Sequence, residues 1–254
     1  MCYSDDARPP VPPSNGGSVA HASDLVLEAA DGNRFAAYVA RASAPTGRAM
    51  VVLPDVRGLH TFYKELAERF AEVGVDAIAI DYFGRTAGIG DRSEAFEWRP
   101  HVEQTTPEGV QADVAAAVAY LRSPEGGAAR SVFTVGFCFG GAASWRQSAG
   151  GHDLAGTIGF YGMPARARDV IPKMSAPLLL LVAGADFTPL EEFQKFDQEL
   201  AAAGVPHRMQ VYDGAPHSFF DRSFAEHESA CADAWQQIVS FLDQNAPVAA
   251  HVRG

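Results

Sequence analysis

Cysteine is scarce in this chain. Three residues in 254, Cys2, Cys138 and Cys231, are too few and too scattered for a disulfide framework, and an odd number leaves at least one thiol free. A reducing compartment, the cytoplasm, is therefore the expectation. Basic residues are also short, 20 Lys plus Arg against 31 Asp plus Glu for a net charge of -11. The positive field that would hold a nucleic acid or an anionic membrane surface is missing. No apolar run approaches the roughly 18 residues of a membrane-spanning helix. The opening MCYSDDARPPVPPSNGG carries acids, Pro and Gly where a secretion signal needs a basic and then an apolar stretch. There is no internal repeat and no low-complexity tract beyond those prolines. What these absences leave is a small molecule as partner and a monomer as the expected state, with an oligomer still open.

What is present is a chain that is 47% hydrophobic, enough for a full core, with no shift in composition along it. We expect a Pro-rich extended segment over 1–22, one domain over 23–246 and a tail over 247–254. DLVLEAADGNRFAAYVA alternates apolar and polar residues on both sides of Asp31-Gly32, which predicts an antiparallel hairpin. Beyond it lie short apolar runs at 49–55, 76–81, 131–137, 154–162, 177–184 and 207–213, most separated by stretches of helical periodicity. That pattern belongs to an α/β fold, a mostly parallel sheet with helices on both faces. Thr106-Pro107 and Thr188-Pro189 each read as an N-cap followed by proline at the first helical position.

The stretch VGFCFGG (135–141) places Cys138 where a strand-turn-helix nucleophile elbow, G-x-S-x-G, carries its serine. Gly136 and Gly140 would let strand and helix approach closely around a strained turn. A thiol at a helix N-terminus is favoured as thiolate. Cys138 alone could equally be a buried space-filler. Downstream, Asp186 follows the strand PLLLLVAG and His217 follows HRMQVYDGAP, the order nucleophile, acid, histidine of an alpha/beta-hydrolase. Asp186 alone could be a helix cap and His217 a bystander; together with Cys138 they read as a catalytic triad.

GFCFGG, GADFTP and GAPHSFFDR resemble the nucleophile, acid and histidine segments of the dienelactone hydrolase (carboxymethylenebutenolidase) family. The first strand-helix-strand unit, VVLPDVRGLHTFYKELAERFAEVGVDAIAIDYFGRTAG, is also similar to that family's. The resemblance spans roughly residues 24–244 and implies an alpha/beta-hydrolase fold. It implies a nucleophile at Cys138, a base at His217, an orienting carboxylate at Asp186 and an oxyanion hole of the Val56 and Phe139 backbone N–H groups, with no metal or cofactor. It also implies a thiol-gating carboxylate, which the family supplies as glutamate and this chain as the shorter Asp55. Arginines for a substrate carboxylate would be Arg85, Arg222, offset by one from the family position now held by Asp221, and Arg57 as an addition. Tyr82, Trp98, Tyr161, Phe187 and Phe219 are candidates to line the pocket. The implied activity is hydrolysis of enol-lactones or activated esters through an acyl-enzyme. A broader carboxylesterase or thioesterase for uncharged acyl groups, and a non-enzymatic thiol sensor or ligand-binding module, are the alternatives.

Overall fold

The alternation around Asp31-Gly32 produces the hairpin. In a computed structural model of the chain, which describes residues 3–13 and 17–246, β1 (Val19–Glu28) and β2 (Arg34–Ala42) pair antiparallel with Glu28 opposite Arg34. Gly32 takes a φ of 84° in the turn, where a side chain would be strained. The strand begins at Val19, four residues inside the segment expected to be a lead-in.

The apolar runs become β3 (Arg48–Leu53), β4 (Val75–Ile80), β5 (Ser131–Phe137), β6 (Gly156–Phe160), β7 (Leu178–Ala185) and β8 (His207–Pro216). They form one eight-stranded sheet in the order β1-β2-β4-β3-β5-β6-β7-β8. β2 meets β4 antiparallel, and β4-β3-β5-β6-β7-β8 are parallel throughout. β3, β4 and β5 are buried along almost their whole length, which is why they carry no polar alternation.

Helices α1 (Thr61–Glu72), α2 (Gly84–Ala87), α3 (Arg99–Gln104), α4 (Pro107–Arg122), α5 (Phe139–Gln147), α6 (Leu190–Ala202) and α7 (Glu228–Asn245) complete the fold. Alternate residues of β3 sort the layers. Met50 and Val52 pack with Phe62 and Phe70 of α1 and Trp235 of α7, while Ala49, Val51 and Leu53 pack with Val114 and Val118 of α4. On that second face, Trp145 of α5 meets Phe196 of α6 over Leu178 and Leu180. Thr106 caps α4 as expected, its hydroxyl accepting from the Gly109 N–H at 3.1 Å. The cap of α6 lies one residue later than predicted, at Pro189, and the Thr188 N–H donates to Asp186 Oδ1 at 3.0 Å.

The N-terminal prolines do not trail. Tyr3 is almost fully buried and stacks on Phe62 with ring centroids 3.9 Å apart, and the Pro10 carbonyl accepts from Trp235 Nε1 at 3.0 Å. Cys2 and the expected tail 247–254 lie outside the described residues. Among the described residues, no helix is long and apolar enough to cross a membrane.

Candidate active site

The loops that follow β3, β5, β7 and β8 meet at the carboxyl edge of the sheet, the edge where open α/β sheets place their chemistry. β5 ends at Phe137, and Cys138 turns the chain into α5 with φ 55° and ψ -115°. Such a backbone is costly for a residue with a Cβ, on the order of 1–3 kcal/mol, and persists only where its surroundings enforce it. The two glycines allow the surroundings to do so. A Cβ on Gly136 would lie 1.9 Å from the Gly140 carbonyl oxygen, and one on Gly140 would lie 2.2 Å from the Pro54 carbonyl oxygen. Strand, helix and the β3 loop are thus in backbone contact, and the Cys138 N–H is held by the Phe160 carbonyl at 3.1 Å. The Thr134 and Ser144 hydroxyls, 2.7 Å apart, tie α5 to β5.

His217 meets both partners predicted for it. Its Nδ1 is 2.7 Å from Asp186 Oδ2, and its ring also hydrogen-bonds Cys138. Burial pulls the imidazole down, but the hydrogen bonds to Asp186 and Cys138 and their negative charge outweigh it, and the group is pushed up to about 9. Tyr161 and Phe187 flank the ring with centroids at 4.7 and 4.4 Å. Asp186 also accepts from the Thr188 N–H, but it does not cap α6, whose N-cap is Pro189.

Asp55 is fully buried in the β3 loop. Its Oδ1 accepts from the Arg57 N–H at 2.8 Å, and the Tyr63 and Tyr82 hydroxyls bond its backbone. Burial pushes the Asp55 carboxyl up to about 7; the Arg57 N–H opposes this, and negative charge on Cys138 adds to it. His60, with Nε2 3.8 Å from Asp55 Oδ1, is driven by its own burial and by Arg57 down to about 3, so it stays neutral.

The thiol opens into a pocket of about 190 Å³ whose walls include Val56, Phe139, Trp98, Tyr161, Phe187 and Arg166. Val56 and Phe139, whose N–H groups were expected to form an oxyanion hole, both line it. Phe139 is the first residue of α5, so its N–H has no partner within the helix. Of the five aromatics, Trp98, Tyr161 and Phe187 line the pocket, whereas Tyr82 and Phe219 are core.

None of the three expected substrate arginines lines it. Arg85 is committed to two carboxylates, Nη1 to Asp31 Oδ2 at 2.5 Å and Nη2 to Asp113 Oδ1 at 2.8 Å, on the side of the hairpin and α4. Arg57 is fully buried and bonds the Tyr3 carbonyl and Asp5 of the N-terminal segment. Arg222 is exposed and its N–H donates to the Arg8 carbonyl at 3.0 Å, beside Asp221, which accepts from the Arg8 N–H. The cation that does reach the pocket, Arg166, went unnoticed in the sequence; the fourth position of MPARARD, with no periodicity around it, gives little to find it by. Cys231 is buried and its thiol donates to the Phe219 carbonyl at 3.2 Å, so it offers no exposed resolving thiol.

The family model described as "Dienelactone hydrolase family" matches residues 35–246. A carboxymethylenebutenolidase of Rhodococcus opacus is 28% identical over 260 residues, covering 96% of this chain and 97% of that protein. Among solved structures, a dienelactone hydrolase-like promiscuous phosphotriesterase from metagenomic libraries has a TM-score of 0.73 at 22% identity, over 88% of this chain and 98% of that one. A Pyrococcus furiosus esterase has a TM-score of 0.65 at 13% identity, over 88% and 92%. At such identities the structures bear on the fold alone.

Proposed function

The chain belongs to the dienelactone hydrolase family, hydrolases of ester bonds, and from that premise we propose that it cleaves enol-lactones or activated esters with Cys138 as nucleophile. The observation that carries the reading is the chain of contacts from Asp186 through His217 to Cys138. A histidine raised to about 9 beside a thiol at a helix N-terminus supports an imidazolium-thiolate pair at neutral pH.

In the first step the Cys138 sulfur attacks the carbonyl carbon, a C–S bond forms, and the carbonyl electron pair moves to oxygen between the Val56 and Phe139 N–H groups. Collapse breaks the C–O bond to the leaving group, which takes its proton from the His217 imidazolium. In the second step His217 removes a proton from water as the water oxygen attacks the thioester; collapse releases the acid and restores the thiolate and the imidazolium. Asp186 holds the ring through Nδ1 and stabilises its charge throughout. Thiolate is a strong nucleophile and a weak base, which suits an enolate or phenolate leaving group more than an alkoxide. One chain supplies every group in this scheme, and a nucleophilic thiol fits a reducing, cytoplasmic setting.

A second reading, a carboxylesterase or thioesterase for uncharged acyl groups, is favoured by the apolar walls at Trp98, Val102, Met163 and Phe187 and by the absence of Arg85, Arg57 and Arg222 from them. Intact-protein mass spectrometry with p-nitrophenyl esters and an enol-lactone tests the shared chemistry. The wild type is expected to turn over with an acyl adduct on Cys138, which accumulates in His217→Asn, and Cys138→Ala is expected to be inactive. Unchanged turnover in Cys138→Ala would remove the nucleophile.

A further inference from the structure

Beside the thiol pocket lies a second cavity of about 230 Å³ that shares two residues with it, Phe139 and Arg166. Val110 of α4, Ala143 of α5 and the exposed Ala165 contribute apolar wall. Arg146 also faces it, but its guanidinium is bound to Asp169, with Nη2 3.0 Å from Oδ2, and is thereby neutralised. Arg166 differs. Its backbone is fixed in the short 3-10 turn Pro164–Arg166, its carbonyl accepting from Arg146 Nη1 at 2.7 Å. Its guanidinium, centred 5.1 Å from the Phe139 ring centroid, has neither a carboxylate nor a hydrogen-bond partner among the described residues. In a chain of net charge -11, an uncommitted cation with a fixed base stands between the nucleophile and a mostly apolar chamber.

We propose that this junction is a substrate subsite: the second cavity receives the apolar body of the acyl group, and Arg166 pairs with an anionic substituent, a carboxylate, carried beside it. A guanidinium lying over an aromatic face keeps its N–H edge open for bidentate pairing with a carboxylate. A cavity of about 150 Å³ already holds a benzene ring, so the larger chamber takes a single ring or a chain of comparable size. Selectivity for acid esters thus comes from the 3-10 turn after β6, not from Arg85, whose guanidinium is spent on Asp31 and Asp113. The inference rests on the proposed Cys138 hydrolysis.

The test compares kcat/KM for the p-nitrophenyl monoester of glutaric acid with that for p-nitrophenyl pentanoate, and for p-nitrophenyl 4-phenylbutyrate with that for the butyrate. Wild type is expected to favour glutarate over pentanoate by on the order of tenfold, with the preference shrinking as salt screens the exposed guanidinium. Arg166→Gln is expected to abolish the preference and Arg166→Lys to restore part of it, while Ala165→Trp, which fills the chamber from its rim, lowers the phenylbutyrate to butyrate ratio. A glutarate to pentanoate ratio unchanged in Arg166→Gln, or a phenylbutyrate ratio unchanged in Ala165→Trp, overturns the subsite while leaving the Cys138 chemistry standing. If the wild type turns over none of these esters, the chemistry itself fails; calorimetric binding of glutaric acid monoanilide to wild type and Arg166→Gln then decides the subsite alone.

Discussion

At the scale of single residues, the shorter carboxylate beside the thiol has a measurable consequence. Asp55 is fully buried, and the interaction that pushes it up toward about 7 includes negative charge on Cys138. Electrostatic work between two groups is mutual, so an ionised Asp55 opposes the thiolate as much as the thiolate opposes Asp55. Well below pH 7 the carboxyl is neutral, and an amide in its place changes the charge of the site by nothing. Above pH 7 the wild type carries a carboxylate there and Asp55→Asn does not. Iodoacetamide alkylation of Cys138 in Asp55→Asn is therefore expected to match wild type near pH 5.5 and to exceed it severalfold near pH 8. A constant ratio across that range would mean that Asp55 does not govern the thiol. The sequence offered Asp55 as a gating candidate but could not say how a carboxylate one methylene short would be accommodated. The structure buries it completely, its carboxylate accepting from the Arg57 N–H and its backbone held by the Tyr63 and Tyr82 hydroxyls.

At the scale of elements, the segment read as a lead-in is the least expected part of the fold. Tyr3 fills a slot among Phe62, Tyr63 and Phe137, its hydroxyl meets that of Tyr161, and its carbonyl together with Asp5 accepts from the buried Arg57. Truncating a buried aromatic to alanine costs roughly 3–5 kcal/mol, and in a chain of this size each kcal/mol is worth about 2–4 °C. Tyr3→Ala is expected to lower the melting temperature by on the order of 10 °C, and Tyr3→Phe, which keeps the stacking, by far less. Equal melting of Tyr3→Ala and wild type by calorimetry would return the segment to the status of a tail. Prolines forbid regular hydrogen-bonded structure, so periodicity had no purchase on residues 1–13. The strands and the meeting of Cys138, Asp186 and His217 were legible for the opposite reason: continuous apolar runs mark β3, β5 and β7, and the three residues follow the ends of β5, β7 and β8. Arg85 misled because its partners, Asp31 in the hairpin turn and Asp113 in α4, reach it only through the fold.

At the scale of the whole molecule, the perturbed groups set how stability varies with pH. In acid, two of them oppose each other. Asp55, raised from 3.8 to about 7, keeps a proton that the unfolded chain has released, so its contribution is lost as pH rises from 3.8 toward 7. His60, lowered to about 3, refuses a proton that the unfolded chain binds, so its contribution grows as pH rises from 3 to 6.5. Their slopes have opposite sign over a shared window. On the alkaline side the raised group is His217, and the negative charge on Cys138 that helps raise it reflects a proton the folded chain has already released, which offsets part of its effect. Its folded value of about 9 exceeds the ordinary 6.5, so the stability it confers is present in full below 6.5 and is lost as pH rises through 9. The full effect is on the order of 3 kcal/mol at most. Cys231, raised by burial to about 11, adds a further loss only above its ordinary value of 9. The melting temperature is therefore expected to fall between pH 6.5 and 9, by a few degrees at most. His217→Asn, which keeps a polar partner for Asp186 but cannot be charged, is expected to flatten that alkaline limb and leave the acid limb as it is. An alkaline limb equally steep in His217→Asn would show that the imidazolium held between Asp186 and Cys138 is not what stabilises the fold near neutrality.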